Sequence, residues 1–240
     1  MAGWALMTFA FAGLGLVELL FAGPLPDLHI HAADAPNLAR LSGTLLLIFS
    51  LCMLAGRFTS IASLLVALYW AFFGILAVTD VLARAPFNLA AWVPVAEIAV
   101  FVTASLARGI PPRWAATAAR PLLRMTLGLG LVLFGVVHAV YHAAIGGMIP
   151  AWIPFAAEWP WATSVINGIA GLCILAGRGT APAALVIAAM FGSWLPLVHA
   201  GRLAAEPENL FEWTFALTAA ALTGAALVVA ASQMKVSAHP

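Results

Sequence analysis

Eight long runs of apolar residues dominate this chain of 240 residues. A helix that crosses a bilayer needs about 20 mostly apolar residues. The runs extend over residues 3–21, 38–55, 60–81, 89–106, 122–144, 161–176, 181–200 and 210–231. Prolines and glycines separate them, and proline lacks the amide hydrogen that a continuing helix needs. The sequence therefore predicts an all-α integral membrane protein with eight transmembrane helices.

The overall composition excludes several classes of protein. Hydrophobic residues make up 64% of the chain and charged residues only 8%, whereas soluble domains are about one quarter charged. The net charge of +1 gives no electrostatic basis for binding nucleic acid. The only lysine, Lys235, lies near the C-terminus, which argues against a retinal Schiff base within a transmembrane helix. Cys52 and Cys173 are too few for a disulfide framework.

The distribution of charge predicts the orientation of the chain. With the N-terminus in the cytoplasm and eight spans, seven of the ten basic residues fall on the cytoplasmic side, and seven of the nine acidic residues fall on the opposite side. The positive-inside rule favours this arrangement. We therefore expect a protein of a bacterial inner membrane with both termini in the cytoplasm. The basic residues concerned are Arg57, Arg108, Arg113, Arg120, Arg124, Arg178 and Lys235.

The two halves of the chain repeat each other at an offset of 121 residues. Residues 51–59 (LCMLAGRFT) resemble residues 172–180 (LCILAGRGT), and the same offset relates Asn88 to Asn209 and Trp92 to Trp213. Matches of Cys, Arg, Asn and Trp at one offset are not expected from composition alone. We predict two four-helix membrane units, 1–109 and 120–232, joined by a cytoplasmic linker at 110–119 and followed by a tail at 233–240. Because four is even, the two units are parallel repeats.

Residues 127–138 (LGLGLVLFGVVH) and 149–154 (IPAWIP) resemble the DoxX-like family of small four-helix membrane proteins. That family shows a glycine-spaced first helix ending in Gly-x-x-His, then an Ile-Pro-x-Trp-x-Pro-like loop. Where the family has a Gly-x-x-Glu turn, residues 167–171 (NGIAG) lack the acid. The first half matches less well, with Glu18 about where His138 stands. The resemblance implies tandem DoxX-like four-helix bundles.

The DoxX-like resemblance also implies a class of function. Members are associated with quinone-linked or thiol redox systems. The fold is similar to that of sterol isomerase and sigma-2-type membrane proteins, which bind sterol-like ligands inside the bundle. The resemblance therefore favours a pocket in the outer leaflet that binds a lipid-like or quinone-like molecule.

Ionisable residues inside apolar helices are the candidates for chemistry, because they are costly in lipid and often functional. His138 and His142 are four residues apart and share one helix face. His199 ends the seventh run on the same side of the membrane, and Glu158 lies in the loop before the sixth run. The candidates for lining a ligand pocket are His138, His142, His199, Glu158, Glu18 and Glu97. No catalytic residue is assigned.

The nature of any cofactor stays open, since imidazole suits haem iron and transition metals as well as acid–base work on a quinone. His138, His142 and His199 are the candidate metal ligands. The competing interpretation is structural, with His138 bonded to a neighbouring helix and the other residues in wet headgroups. Alternative functions are an accessory subunit of a larger membrane complex and a channel or transporter for a small solute. The expected partners are the lipid bilayer, a lipophilic small molecule and membrane-complex subunits.

Overall fold

The computed structural model describes residues 2–22 and 35–237, and this part of the chain is helical, with no strand. Eight helices in it are long and apolar enough to cross a membrane, which confirms the predicted fold class. Their bounds are α1 Ala2–Phe21, α2 Ala35–Leu54, α3 Thr59–Arg84, α4 Leu89–Gly109, α5 Pro112–Val140, α6 Trp159–Ala176, α7 Thr180–Ala205 and α8 Leu210–Ser237. His29 and His31 lie outside the described residues.

The surface of the bundle shows why the chain needs a bilayer. Large apolar side chains on several helices point outward, and examples are Phe9 (63% exposed), Leu68 (67%) and Val165 (58%). Contiguous apolar surface of this kind is rare on soluble monomers. The bundle is therefore an integral membrane protein whose outer faces contact lipid.

Eight spans place the start of α1 and the end of α8 at one end of the bundle, which we call the proximal end. The opposite end, called distal here, holds the connections that follow α3, α5 and α7. Residues 141–158 form the long distal loop after α5, and it contains a short helix at His142–Gly147.

The predicted linker at 110–119 is mostly helical. Only Ile110 and Pro111 interrupt the helices, and α5 begins at Pro112. Proline is tolerated there because the first residue of a helix has no intrahelical use for its amide hydrogen. A π-helical turn at Ala115–Ala119 then continues into the regular helix. The predicted tail at 233–240 likewise begins inside α8, which continues to Ser237.

Helix packing follows the same pattern in both halves of the chain. α1 packs against α2 and α8, and α5 packs against α6 and α4. α3 pairs with α4, as α7 pairs with α8. Shifting the bounds of α3 by 121 residues gives the bounds of α7, 180–205. α8 is the most buried of the eight helices.

Local geometry also recurs at that offset. The indole Nε1 of Trp92 donates to the Pro86 carbonyl at 3.1 Å, and that of Trp213 donates to the Pro207 carbonyl at 2.8 Å. The side chains of Asn88 and Asn209 each accept a hydrogen bond from the amide two residues on, at 3.0 Å. Both turns into α3 and α7 use left-handed backbone at two matching positions, 56 and 58 in the first and 177 and 179 in the second.

Candidate functional site

A cavity of about 410 Å³ lies at the distal end of the second half of the chain. Its walls come from α5, α6, α7 and α8, and Val93 and Glu97 of α4 complete them. Ile145, Met148 and Ile149 of the distal loop cover it. Apolar side chains form most of the lining, so the cavity suits an apolar guest.

Glycine contacts explain how α5 and α6 approach each other below this cavity. A Cβ atom built on Gly171 would lie 2.8 Å from the Gly128 carbonyl oxygen, and one on Gly135 would lie 3.0 Å from the Gly168 amide nitrogen. Small residues allow such close backbone contact in membranes. The helices are therefore held together at the glycines, while Phe134 and His138 of α5 face the cavity.

A π-helical turn at Leu195–His199 shapes the opposite wall. Pro196 lies in this turn, and proline removes an amide hydrogen from the regular α-helical pattern. Turns of this type often occur at functional sites. Trp194, just before the turn, and His199, at its end, both line the cavity.

His138 is the polar group of the inner wall, and it is half-buried. Its Nδ1 lies 2.8 Å from the carbonyl oxygen of Phe134, one turn earlier in α5. Its ring lies near that of Trp194, with 6.1 Å between the centroids and 32° between the planes. Both contacts fix the orientation of the imidazole and turn its Nε2 away from its own helix.

A cluster of polar and charged side chains lies beside the cavity, where His199 and Arg202 line it and Glu212 contacts both of them. Nη2 of Arg202 lies 2.6 Å from Oε1 of Glu212, and Nδ1 of His199 lies 3.6 Å from Oε2 of the same carboxylate. Glu212 is only 3% exposed and His199 8%. Nη1 of Arg202 also donates to the Met148 carbonyl at 3.4 Å, so the cluster connects α7, α8 and the distal loop.

Three of the six predicted pocket residues line this cavity, namely His138, His199 and Glu97. His142 does not line it, because its ring stacks on Trp161 with the centroids 4.7 Å apart. Glu158 is exposed in the distal loop. The described residues contain no group of three or more His, Cys, Asp or Glu side chains able to hold a metal ion. The structure therefore does not gather His138, His142 and His199 as metal ligands.

Glu18 belongs to a different cluster, in the first half of the chain. It is 1% exposed. Ser42 donates to its Oε1 at 2.5 Å and the Tyr69 hydroxyl donates to its Oε2 at 2.9 Å. Both carboxylate oxygens of Glu18 therefore have hydrogen-bond donors from α2 and α3.

Aromatic side chains fill the corresponding position of the first half. Phe11, Trp70 and Phe101 contact one another there, with ring centroids 5.0 to 5.6 Å apart. At the offset of 121 residues, Phe191 and Leu222 of the cavity wall replace Trp70 and Phe101. The two halves therefore differ in side-chain volume at the place where the second half has its cavity.

Sequence reasoning missed two charged residues of the site. Neither Arg202 nor Glu212 is among the predicted pocket residues. Glu212 lies at the start of the predicted run 210–231 and in the first turn of α8. The i, i+3 spacing of His199 and Arg202 was an available signal, because residues at this spacing share a helix face.

The arrangement can hold an elongated apolar molecule whose polar group meets the imidazole of His138. Charged residues lie at the distal end of the cavity, while the aromatic rings of Phe134, Phe191 and Trp194 form part of its apolar wall.

Comparison of the chain with protein-family models, curated proteins and solved structures finds no match.

Proposed function

We propose that this membrane protein binds a lipid-like or quinone-like molecule in the distal cavity of its second half. The observation that carries the proposal is a cavity of about 410 Å³ with apolar walls and an inward-facing imidazole. Ligand pockets in proteins are typically about 300–1,000 Å³, mostly apolar, with a few well-placed polar groups. His138 is the residue expected to orient the ligand.

We further propose a relationship to the DoxX-like family. The residues that carry the resemblance have roles at the site. Gly128 and Gly135 lie at the contact between α5 and α6. His138, which ends the Gly-x-x-His motif, and Ile149 and Ile153 of the proline-rich loop line the cavity. The motif thus coincides with one structural unit, a helix contact and the pocket next to it.

We infer that the chain arose by tandem duplication of a four-helix unit and that its distal end faces the outside of a bacterial inner membrane. The matching helix bounds and the paired tryptophan and asparagine hydrogen bonds support the duplication. The excess of basic residues at the proximal end supports cytoplasmic termini. The pocket then opens in the outer leaflet, between the helices of the second unit and α4 of the first.

The test is identification of the lipids that co-purify with the protein. The protein is purified in detergent, extracted with organic solvent and examined by mass spectrometry beside His138→Leu and Thr218→Trp variants. Thr218 lines the cavity, so a tryptophan there reduces its volume. His142→Leu is the matched control, because His142 stacks on Trp161 outside the cavity.

One lipophilic species retained by the wild type and His142→Leu, but lost from Thr218→Trp, is the expected result. Equal lipid content in all four proteins would contradict the proposal. An accessory subunit is instead expected to lose its partner proteins, and a channel its solute flux, when the cavity is altered. Loss of partner proteins or of solute flux, with bound lipid unchanged, would favour an accessory subunit or a channel respectively.

A further inference from the structure

The imidazole of His138 offers the cavity one hydrogen-bond acceptor, its Nε2 atom. A carbonyl oxygen can only accept, so the 2.8 Å contact between Nδ1 of His138 and the Phe134 oxygen requires the proton on Nδ1. In the neutral ring Nε2 is then a bare acceptor, and it has no protein partner in the described part of the chain. Phe134, Phe191 and Trp194 line the same cavity, and an unpaired charge is disfavoured beside such walls. His138 therefore presents an acceptor to the ligand.

The hydroxyl groups of the lining do not supply matching donors. Ser193 donates its hydrogen to the Met190 carbonyl at 2.7 Å. Thr163 donates to the carbonyls of Trp159 and Pro160, each at 3.0 Å. A hydroxyl has a single hydrogen to donate, so both are used within the protein. Thr218 is the remaining lining hydroxyl, and it can donate a hydrogen bond to the ligand or accept one from it.

The charges of Arg202 and Glu212 balance each other without a ligand. The guanidinium of Arg202 contacts the carboxylate of Glu212 at 2.6 Å. Glu212 is almost fully buried, so its charge is held next to that cation. Glu212 is not itself a lining residue, but an anionic group bound at the lining guanidinium of Arg202 would lie close to this carboxylate, and like charges repel at short distance. The mouth of the cavity therefore favours an uncharged ligand.

We infer that the ligand is an uncharged apolar molecule that donates one hydroxyl hydrogen to Nε2 of His138, such as an alcohol, a phenol or a quinol. The inference rests on the proposed function and specifies its ligand class. A quinone has only carbonyl acceptors on its ring and does not complement a bare Nε2. Between the two oxidation states of a quinone-like ligand, Nε2 of His138 therefore favours the reduced one.

Three probes with one apolar body separate these chemistries. They are 4-nonylphenol, which donates a hydrogen bond, its methyl ether 4-nonylanisole, which only accepts, and the anion 4-nonylbenzoate. Binding to the full-length protein in nanodiscs is measured by equilibrium dialysis, and empty nanodiscs correct for partition into lipid. The phenol is expected to bind about tenfold more tightly than the ether, the size of one buried hydrogen bond.

Variants locate the origin of that preference. His138→Phe keeps a ring and removes the acceptor, so the phenol and the ether should bind within about twofold of each other. His138→Gln offers an amide that both accepts and donates, and it should also reduce the preference. His142→Leu, outside the cavity, should keep it. Glu212→Gln leaves the guanidinium of Arg202 unpaired and should strengthen 4-nonylbenzoate binding about tenfold.

The outcomes separate the inference from the proposed function. If none of the probes binds saturably, the proposed function fails together with the inference. If probes bind but the ether equals the phenol in the wild type, only the inference fails. The same conclusion follows if Thr218→Val, and not the His138 variants, removes the preference. Unchanged benzoate binding in Glu212→Gln overturns the requirement for an uncharged ligand.

Discussion

Replacing Gly171 by alanine tests the contact on which the cavity rests. The added Cβ would lie 2.8 Å from the Gly128 carbonyl oxygen, 2.9 Å from Cγ2 of Val132 and 3.0 Å from its amide nitrogen. Ordinary van der Waals contact at such a Cβ begins at 3.4 Å, so α5 and α6 must separate by roughly half an ångström. Two of the three atoms are backbone and cannot rotate away. Overpacking of this kind costs about 1–3 kcal/mol.

Gly168 is a matched control on the same helix. A Cβ there meets nothing within 4 Å. Alanine also favours the helix by about 0.5–1 kcal/mol over glycine. Both variants gain this propensity, so it cancels in the comparison, and Gly171→Ala should be less stable than Gly168→Ala by the overpacking cost, about 1–3 kcal/mol in free energy of unfolding.

Reversible unfolding in mixed micelles of a mild detergent and dodecyl sulfate, followed by circular dichroism, gives these free energies. Thermal unfolding offers a second readout, since about 1 kcal/mol shifts Tm by roughly 2–4 °C at this chain length. If Gly171→Ala is as stable as Gly168→Ala, the close contact between α5 and α6 is not as described. Loss of the co-purified lipid in Gly171→Ala alone would show that the contact also shapes the cavity.

Three further predictions concern the polar clusters and the topology. Tyr69→Phe should lower the free energy of unfolding by about 1–3 kcal/mol, because it leaves Oε2 of the buried Glu18 without its donor; an unchanged stability would contradict that hydrogen bond. Glu212→Ala should cost about 1–3 kcal/mol by leaving Arg202 unpaired, whereas Asp80→Ala, which breaks an exposed i, i+4 pair with Arg84, should cost less than about 1 kcal/mol. Equal losses would show that burial does not matter to these pairs. Protease-sensitive tags at the two termini should be cleaved from the same side of inverted vesicles, because eight spans return the chain to its starting side; cleavage from opposite sides would require an odd number of spans.

Much of the candidate site was accessible from sequence because intramembrane ionisable groups are rare. His138, His199 and Glu97 were selected for their place in apolar runs, and the structure brings all three to one cavity. The same criterion also selected Glu18, which is instead satisfied by Ser42 and Tyr69 in the other half of the chain. The high free energy of an ionisable side chain in lipid identifies a residue that needs a hydrogen-bonding or charged partner. It does not say whether the partner is another side chain or a ligand.

Residues near helix ends were harder to assign. His142 follows His138 by four residues, yet the regular helix α5 ends at Val140 and a turn at Tyr141 intervenes. The i, i+4 argument assumes one continuous helix, so it fails across this break. Glu212 falls at the start of the predicted run 210–231 and is not among the predicted pocket residues, yet the first turn of α8 buries it against Arg202.

The sequence by itself determined the number of spans, the approximate bounds of most of them and the segregation of charge between the two ends, although α5 begins at Pro112, ten residues before the predicted run. These properties are local, because the transfer of each apolar run into lipid depends on its own composition. Only the tertiary structure decided which helices pair, where a cavity remains and which ionisable groups meet. Lipid is as apolar as the side chains, so hydropathy does not tell an inward face from an outward one. Close contacts such as Gly128 with Gly171, and polar partners such as Arg202 with Glu212, decide that instead.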